Sequence, residues 1–444
     1  MSTPEYSPEW RAPERVQPLR HSLSLPGSKS LTNRELVLAA LADGPSVIRR
    51  PLHSRDTALM VNALRSLGAT ITEIPGLGSF GPDLQVTPIP PHHRVSAEID
   101  CGLAGTVMRF VPPLAALVQG TLRFDGDSGA RRRPMATTLQ ALSQLGLEVD
   151  DEGRDTLPFT VANNDATLHT EVSIDASASS QFVSGLLLMA SRLPGGLAIT
   201  HTGSEIPSLP HIEMTLACLR NRGVTVTTPS AGVWHVAPGA IRAVDVEIEP
   251  DLSNATPFLS APLITGGQVS IEGWPSHTTQ VGADVPALLE HYGAKANPQN
   301  STLTIDGGIG WRHGAKIPGV DLDLSHAGEL APTMIALAAL ASGPSVFRGI
   351  GHLRGHETDR LAALVDNIRS LGGHAKETQD GIRVTPAPLD GGLWKAFSDH
   401  RMATSGALLG LGVRGVIVDD IASTSKTLPE FQALWSALVE SPAP

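Results

Sequence analysis

Apolar positions along this chain fall into two alternating periods: helical stretches with Leu, Ala or Val every third or fourth residue, and short β-branched runs. One phrase recurs, an apolar helical stretch that ends at a glycine and passes at once into a β-branched run. It reads LADGPSVI from Leu41, LVQGTLRF from Leu117, RLPGGLAIT from Arg192, LITGGQVSI from Leu263, LASGPSVF from Leu340 and LGVRGVIV from Leu411. The landmark glycines Gly44, Gly120, Gly196, Gly267, Gly343 and Gly415 are spaced by 76, 76, 71, 76 and 72 residues. A glycine that closes a helix in the left-handed conformation explains each instance. A second phrase interleaves with the first: ALRSLGATI, ALSQLGLEV, CLRNRGVTV, LLEHYGAKA and NIRSLGGHA, with Gly68, Gly146, Gly223, Gly293 and Gly372. Each predicts an amphipathic helix, a stop, and a strand leading into a hairpin such as the turn at Gln379-Asp380-Gly381. Together the phrases predict an α/β fold of six strand–helix–strand–helix–strand–strand units.

Six units in 444 residues divide into two domains of three. Pro250 interrupts the strand-like run Glu247-Ile-Glu-Pro-Asp251 and marks one crossover; a second falls near Pro26, ahead of the first complete unit. The expected boundaries are a disordered N-terminal extension over 1–16, a discontinuous domain of 17–28 with 250–444, and a second domain over 29–249. The extension is read from MSTPEYSPEWRAPERVQP, which is rich in proline and charge, lacks an apolar core, and reads as neither signal peptide nor membrane span. No run elsewhere approaches ~20 uninterrupted apolar residues, so the protein is expected to be soluble.

Composition narrows the function. Acidic residues outnumber basic ones 44 to 33, a formal charge of −11, which argues against a nucleic-acid binder with a basic face. Cations that meet an anionic substrate must therefore be focused in one place. Cys101 and Cys218 form no C-x-x-C motif and fit a reduced, cytoplasmic setting.

The candidate chemistry begins at Leu25-Pro-Gly-Ser-Lys-Ser-Leu-Thr-Asn-Arg34, where a loop feeds a helix start. Free backbone N–H groups and the positive end of the helix dipole, joined by Ser28, Lys29, Ser30 and Arg34, make an anion site suited to phosphate. It is not a nucleotide P-loop, because Ser28 separates Gly27 from Lys29 and no glycine lies a few residues upstream. Gly105 and Thr106, in the Gly-rich turn Asp100–Arg109 before an apolar helix read over Phe110 to Val118, offer further N–H groups. Arg131, Arg132 and Arg133 precede Pro134; Ser179, Ser180 and Gln181 open the helix running to Ala190; Ser208 repeats that theme. Farther on come Asp323–Glu329, then Leu353–Leu361 with His356, Glu357, Asp359 and Arg360, then Ser398–Met402 and Ser425–Thr427. The spacing of His356, Glu357 and Asp359 is not H-E-x-x-H, and no metal is expected.

Taken in order, LPGSKSLTNR, AGTVMR, RRRP, SSQF, GHETDRL, DHRM and SKTLPEF resemble the 5-enolpyruvylshikimate-3-phosphate synthases over nearly the whole chain after the N-terminal extension. The resemblance implies two domains, each of three βαβαββ units in an inside-out α/β barrel, joined by two crossovers with the active site in the cleft. It implies transfer of the enolpyruvyl group of phosphoenolpyruvate to the 5-hydroxyl of shikimate 3-phosphate, without metal or organic cofactor, by a cytoplasmic monomer without nucleic-acid or membrane partners. By motif, Lys29, Ser30, Arg34, Ser179, Ser180, Gln181, Ser208, Glu329 and His356 would bind shikimate 3-phosphate. Lys29, Gly105, Arg133, Gln181, Arg360, Arg401 and Lys426 would bind phosphoenolpyruvate, and Glu329, Lys29 and His356 would be catalytic. Three positions depart from many members of the family: Glu329 stands for Asp, His356 for Lys, and Leu103 for Asn. Competing readings are an enolpyruvyl transferase acting on UDP-N-acetylglucosamine, which typically has a Cys where Asp125–Pro134 has none, and a non-catalytic anion-binding protein.

Overall fold

The structure, a computed structural model, describes residues 9–76, 78–91 and 93–443. The chain packs as two units, one running from Pro26 to Glu249 and the other formed by residues up to Leu25 together with those from Pro250 onward. The first boundary thus lies slightly ahead of the expected one after Ser28. Ser28 N–H donates to the Glu249 carbonyl at 2.8 Å, and a Cβ on Gly27 would lie 2.3 Å from the Arg50 carbonyl oxygen. Both residues therefore belong to the Pro26–Glu249 unit.

Within that unit three four-stranded sheets repeat one order. Val246–Glu247, Ser46–Arg49, Asp83–Thr87 and Thr70–Ile74 form the first, in which only the first pair is parallel. Ala97–Asp100, Gly120–Asp125, Phe159–Asn163 and Glu148–Asp150 form the second. Glu171–Ile174, Leu197–His201, Val233–Val236 and Val226–Ser230 form the third. The sheets enclose the helices Lys29–Ala40, Gly105–Phe110 and Gln181–Ala190, which have no solvated face: Leu36 to Ala40 and Phe182 to Ala190 are all buried. Gln181–Ala190, apolar nearly all round from Phe182 onward, has to lie inside, whereas Lys29–Ala40 also buries Asn33, Arg34 and Glu35, each against a hydrogen-bond partner.

The other unit repeats the plan around Leu252–Thr265, Ala331–Ala338 and His400–Gly410. One of its sheets takes Leu19–Leu23 as its first strand, parallel to Gly267–Glu272. Another has three strands, Trp10–Arg11, Ile417–Val418 and Leu393–Trp394. Residues 9–16 are therefore not disordered as their composition suggests. Trp10 pairs with Val418 and Arg11 with Ile417, Ala12 is buried, and the Arg15 guanidinium donates to the Val439 carbonyl at 2.6 Å. The last unit runs into a terminal helix, Phe431–Glu440, in place of a hairpin, and Trp10–Arg11 fills the hairpin's place beside Ile417–Val418. The rest of the expected extension, residues 1–8, lies outside the described residues.

The glycine landmarks hold with two exceptions. Gly120, Gly196, Gly267 and Gly415 have φ of 117°, 70°, 81° and 82°, and all five glycines of the second phrase also have positive φ. Gly44 and Gly343 do not: each precedes a proline, which holds the preceding residue extended. Likewise the helix read over Phe110 to Val118 is Gly105–Phe110 followed by a 3-10 turn, Pro112–Leu117. Pro112 and Pro113 have no N–H to continue the α ladder.

A buried ion pair ties the first inner helix to the Pro210–Asn221 helix. Arg222 donates to Glu35 through Nε at 2.9 Å, and its NH1 donates to the Arg242 carbonyl at 3.1 Å; Arg222 is 0 % and Glu35 6 % exposed. Arg222→Met leaves the Glu35 carboxylate buried without its counterion. Urea titration should show a loss of about 3–5 kcal/mol, with much of it recovered by adding Glu35→Leu.

Candidate active site

In the Pro26–Glu249 unit the inner helices begin side by side. Asn33 Nδ2 donates to Thr106 Oγ1 at 2.7 Å. A Cβ on Gly105 would lie 3.2 Å from Gln181 Oε1 and 3.2 Å from both terminal nitrogens of Arg133, so a side chain at 105 would push those groups apart. First-turn N–H groups and three positive dipole ends thus converge. Ser28 caps its helix by accepting from Leu31 N–H, and Lys29, the next residue, lies 3.6 Å from the buried Asp56 carboxylate. Ser179 Oγ accepts from Gln181 N–H at 3.2 Å. Ser180 is buried. Ser208, in the left-handed region at φ 53°, accepts from His211 N–H through its carbonyl at the entry to the Pro210–Asn221 helix.

Arg34 does not point into open space. It is 1 % exposed, and each guanidinium nitrogen is already bonded: Nε to Thr215 Oγ1, NH1 to the Ser30 carbonyl, and NH2 to the His211 carbonyl. Its ring-like plane lies 5.1 Å from the centre of Phe110. As placed, Arg34 braces Ser30 and the Pro210–Asn221 helix from below. The three consecutive arginines separate in function. Arg131 pairs bidentately with Asp125, Arg132 bonds the Ser128 carbonyl, and Arg133 turns inward, with NH1 on the Leu103 carbonyl at 3.4 Å and Nε buried without a hydrogen-bond partner among the described residues. Leu103 therefore contributes its carbonyl, while its side chain packs against Gly129.

The second unit gathers its groups at the same place in its own plan, the starts of its three inner helices. Ser253 Oγ donates to Glu329 Oε1 at 2.5 Å. Arg401 reaches Glu329 Oε2 at 3.8 Å and donates through NH1 to the Ser253 carbonyl at 2.8 Å. That carbonyl is available because Pro257, four residues on, has no N–H to bond it. Thr256 Oγ1 and the Arg401 guanidinium take the vacant acceptor instead. A proline inside a buried helix thus gives Arg401 its seat.

Arg360 opens its helix behind this cluster and is held by two carboxylates. Nε and NH2 bond Asp399 at 2.8 and 3.2 Å, and NH2 bonds Glu357 at 3.1 Å. Burial works against the charge of Arg360, but the Asp399 and Glu357 carboxylates outweigh it and raise its pKa. Lys426 Nζ bonds the other Glu357 oxygen at 2.5 Å. His356 Nδ1 lies 3.9 Å from Glu357. Glu357 is thus engaged by cations, and Asp359 caps the helix by accepting from Leu361 and Ala362.

Sequence reasoning missed the partners Ser253, Asp56 and Pro257, and gave Asp399, inside the Ser398–Met402 stretch, no role of its own. Asp399 carried the one usable signal, an N-cap residue directly before an apolar helix. It also missed His352, which packs against Gly328, the residue before Glu329. Burial, with the Arg360 charge added, lowers the His352 pKa from 6.5 to about 4. The folded pKa lies below the unfolded one, so between about pH 6.5 and 4 the unfolded chain binds the proton first, and stability falls through that window. From this group the loss is up to about 3 kcal/mol. Urea titrations at pH 7 and pH 4 should show it, and His352→Gln should reduce it.

The chain is similar to known proteins along almost its whole length. A family model described as EPSP synthase (3-phosphoshikimate 1-carboxyvinyltransferase) matches residues 13–435. A 3-phosphoshikimate 1-carboxyvinyltransferase of Kocuria rhizophila is 54% identical over 440 residues, 97% of each chain. Two structures of EPSP synthase from Acinetobacter baumannii superpose with TM-scores of 0.79 and 0.77, each covering 97% of this chain and 98% of its own at 21% identity; at that identity they speak to the fold. With the family model spanning almost the whole sequence and a relative more than half identical across it, the chain belongs to the EPSP synthase family.

Proposed function

We propose that the protein transfers the enolpyruvyl group of phosphoenolpyruvate to the 5-hydroxyl of shikimate 3-phosphate, releasing phosphate, on the route to aromatic amino acids. The observation that carries this reading is a carboxylate, Glu329, held by Ser253 and Arg401 at converging helix starts beside the buried cations Arg360 and Lys426. Each substrate brings a phosphate and a carboxylate, and cations at helix starts are suited to both. In our reading Lys29, Ser30, Ser179, Ser180, Gln181 and Ser208 hold the phosphorylated acceptor, with Arg34 acting through Ser30, and His356 contacts the same substrate. Gly105, Arg133, Arg360, Arg401 and Lys426 serve phosphoenolpyruvate.

In the chemical step Lys29 protonates the methylene carbon of phosphoenolpyruvate, the 5-hydroxyl oxygen bonds to its C2, and Glu329 accepts the hydroxyl proton. The tetrahedral adduct then loses phosphate by C–O cleavage as a proton leaves the methyl group and the double bond re-forms. Cations fixed beforehand stabilise charge as it develops. We also propose that the protein works as a monomer in the cytoplasm, where Cys101 and Cys218, both buried and free, would stay reduced. Among the described residues no helix is long and apolar enough to cross a membrane.

Phosphate release should be rapid with phosphoenolpyruvate and shikimate 3-phosphate and absent when UDP-N-acetylglucosamine is the acceptor. No turnover with the first pair would overturn the reading, and turnover with the second would move the protein to the sister reaction.

A further inference from the structure

We infer that His352 is a positioning residue whose ring, by occupying the space of a side chain at position 328, sets the turn that carries Glu329. The inference rests on the reading that Glu329 accepts the hydroxyl proton.

Gly328 opens the 3-10 turn Gly328–Leu330. Its φ lies outside the left-handed region, so its backbone places no demand for glycine. The demand comes from a neighbour. A Cβ there would sit 2.6 Å from His352 Nε2 and 2.9 Å from Cε1, closer than side-chain atoms can approach, and 3.4 Å from Leu353 Cδ2. The ring has little room to retreat. It belongs to the turn Gly351–Gly355, whose Leu353 is fully buried, and its centre lies 5.9 Å from that of His356.

Its Nε2 is buried without a hydrogen-bond partner among the described residues. Such a nitrogen costs stability, and that cost calls for a reason. Shape supplies one: the flat ring lets the turn close against it, which fixes the Cα from which Glu329 reaches Ser253 and Arg401. The ring does this uncharged, since burial and Arg360 keep it neutral down to about pH 4, so it adds no cation to compete with Arg401 for the carboxylate.

The test is reciprocal suppression. Gly328→Ala, His352→Ala, the double variant and Glu329→Gln are compared by kcat, by KM for both substrates, and by Tm. Gly328→Ala should lower kcat about 100-fold, with KM changed less than about 3-fold, because a carboxylate displaced by about 1 Å loses that much. His352→Ala should lower kcat about 10-fold with little change in Tm, and the double variant, whose clash is gone, should recover most of the Gly328→Ala loss. A full kcat in Gly328→Ala or in His352→Ala would overturn the inference, as would a double variant no faster than Gly328→Ala. His352→Ala introduces no clash and keeps the test informative if Gly328→Ala fails to fold. Full activity in Glu329→Gln would overturn both the inference and the reading beneath it. An inactive Glu329→Gln beside an uncoupled 328–352 pair would sink the inference alone.

Discussion

Lys29→Met is expected to lower kcat/KM about 10³-fold, equivalent to about 4 kcal/mol. Lys29 follows the N-cap Ser28 and sits at the positive end of a buried helix, where an anion meets both its ammonium and the backbone N–H groups. Its Nζ also lies 3.6 Å from Asp56, which is only 2 % exposed. Methionine keeps the length and the apolar stem but removes the charge twice over: the substrate loses a cation, and the Asp56 carboxylate is left facing the same anions. A double variant with Asp56→Asn separates the two effects. Its KM should fall back toward the parent value while kcat stays low, because the proton donor is still missing. Phosphate-release kinetics on the three proteins make the comparison, and near-normal turnover in Lys29→Met would remove Lys29 from the site.

Arg360→Lys should come next, raising KM for phosphoenolpyruvate about 10²-fold despite the conserved charge. The guanidinium spans Asp399 through two nitrogens and Glu357 through one of them. An ammonium cannot keep that fork and still direct a donor at a ligand. Asp399 would also lose a partner in a place where it is 0 % exposed, so part of the damage should appear as a lower Tm. Asp399→Asn, which retains an oxygen to cap Arg401 N–H, should cost less stability than Asp399→Ala. Equal KM values for Arg360→Lys and the parent would show that Arg360 is only a structural cation.

The repeat was legible because its cause is local. A glycine that ends a helix and a β-branched run that follows are choices made within a few residues, and they recur. What escaped is what depends on distant partners. Trp10 and Arg11 look like solvated extension until Ile417 and Val418 offer a sheet edge, and no window of sequence contains both. The same divide separates the site residues. Lys29, Gly105 and Gln181 stand at helix starts that can be read from the chain, whereas the burial of Arg34 under Ser30 depends on Thr215 and His211 in another helix. Pro257 is the clearest case. In sequence it contradicts the helix around it, and the Thr256 hydroxyl and Arg401 guanidinium on the freed Ser253 carbonyl show what its missing N–H makes room for.

The strands lent by the N-terminal segment have a consequence for the order in which the protein can be built. Pro26–Glu249 is one continuous stretch and can fold as soon as its last strand, Val246–Glu247, has left the ribosome to pair with Ser46–Arg49. Leu19–Leu23, synthesised earlier, has to wait for Gly267–Glu272. Trp10–Arg11 has to wait longest, until Ile417–Val418 has been made. Loops of that length close slowly. Among the described residues the first to be translated are therefore among the last to find their place, and the unit carrying Glu329 cannot complete its sheets until Ile417–Val418 has been made.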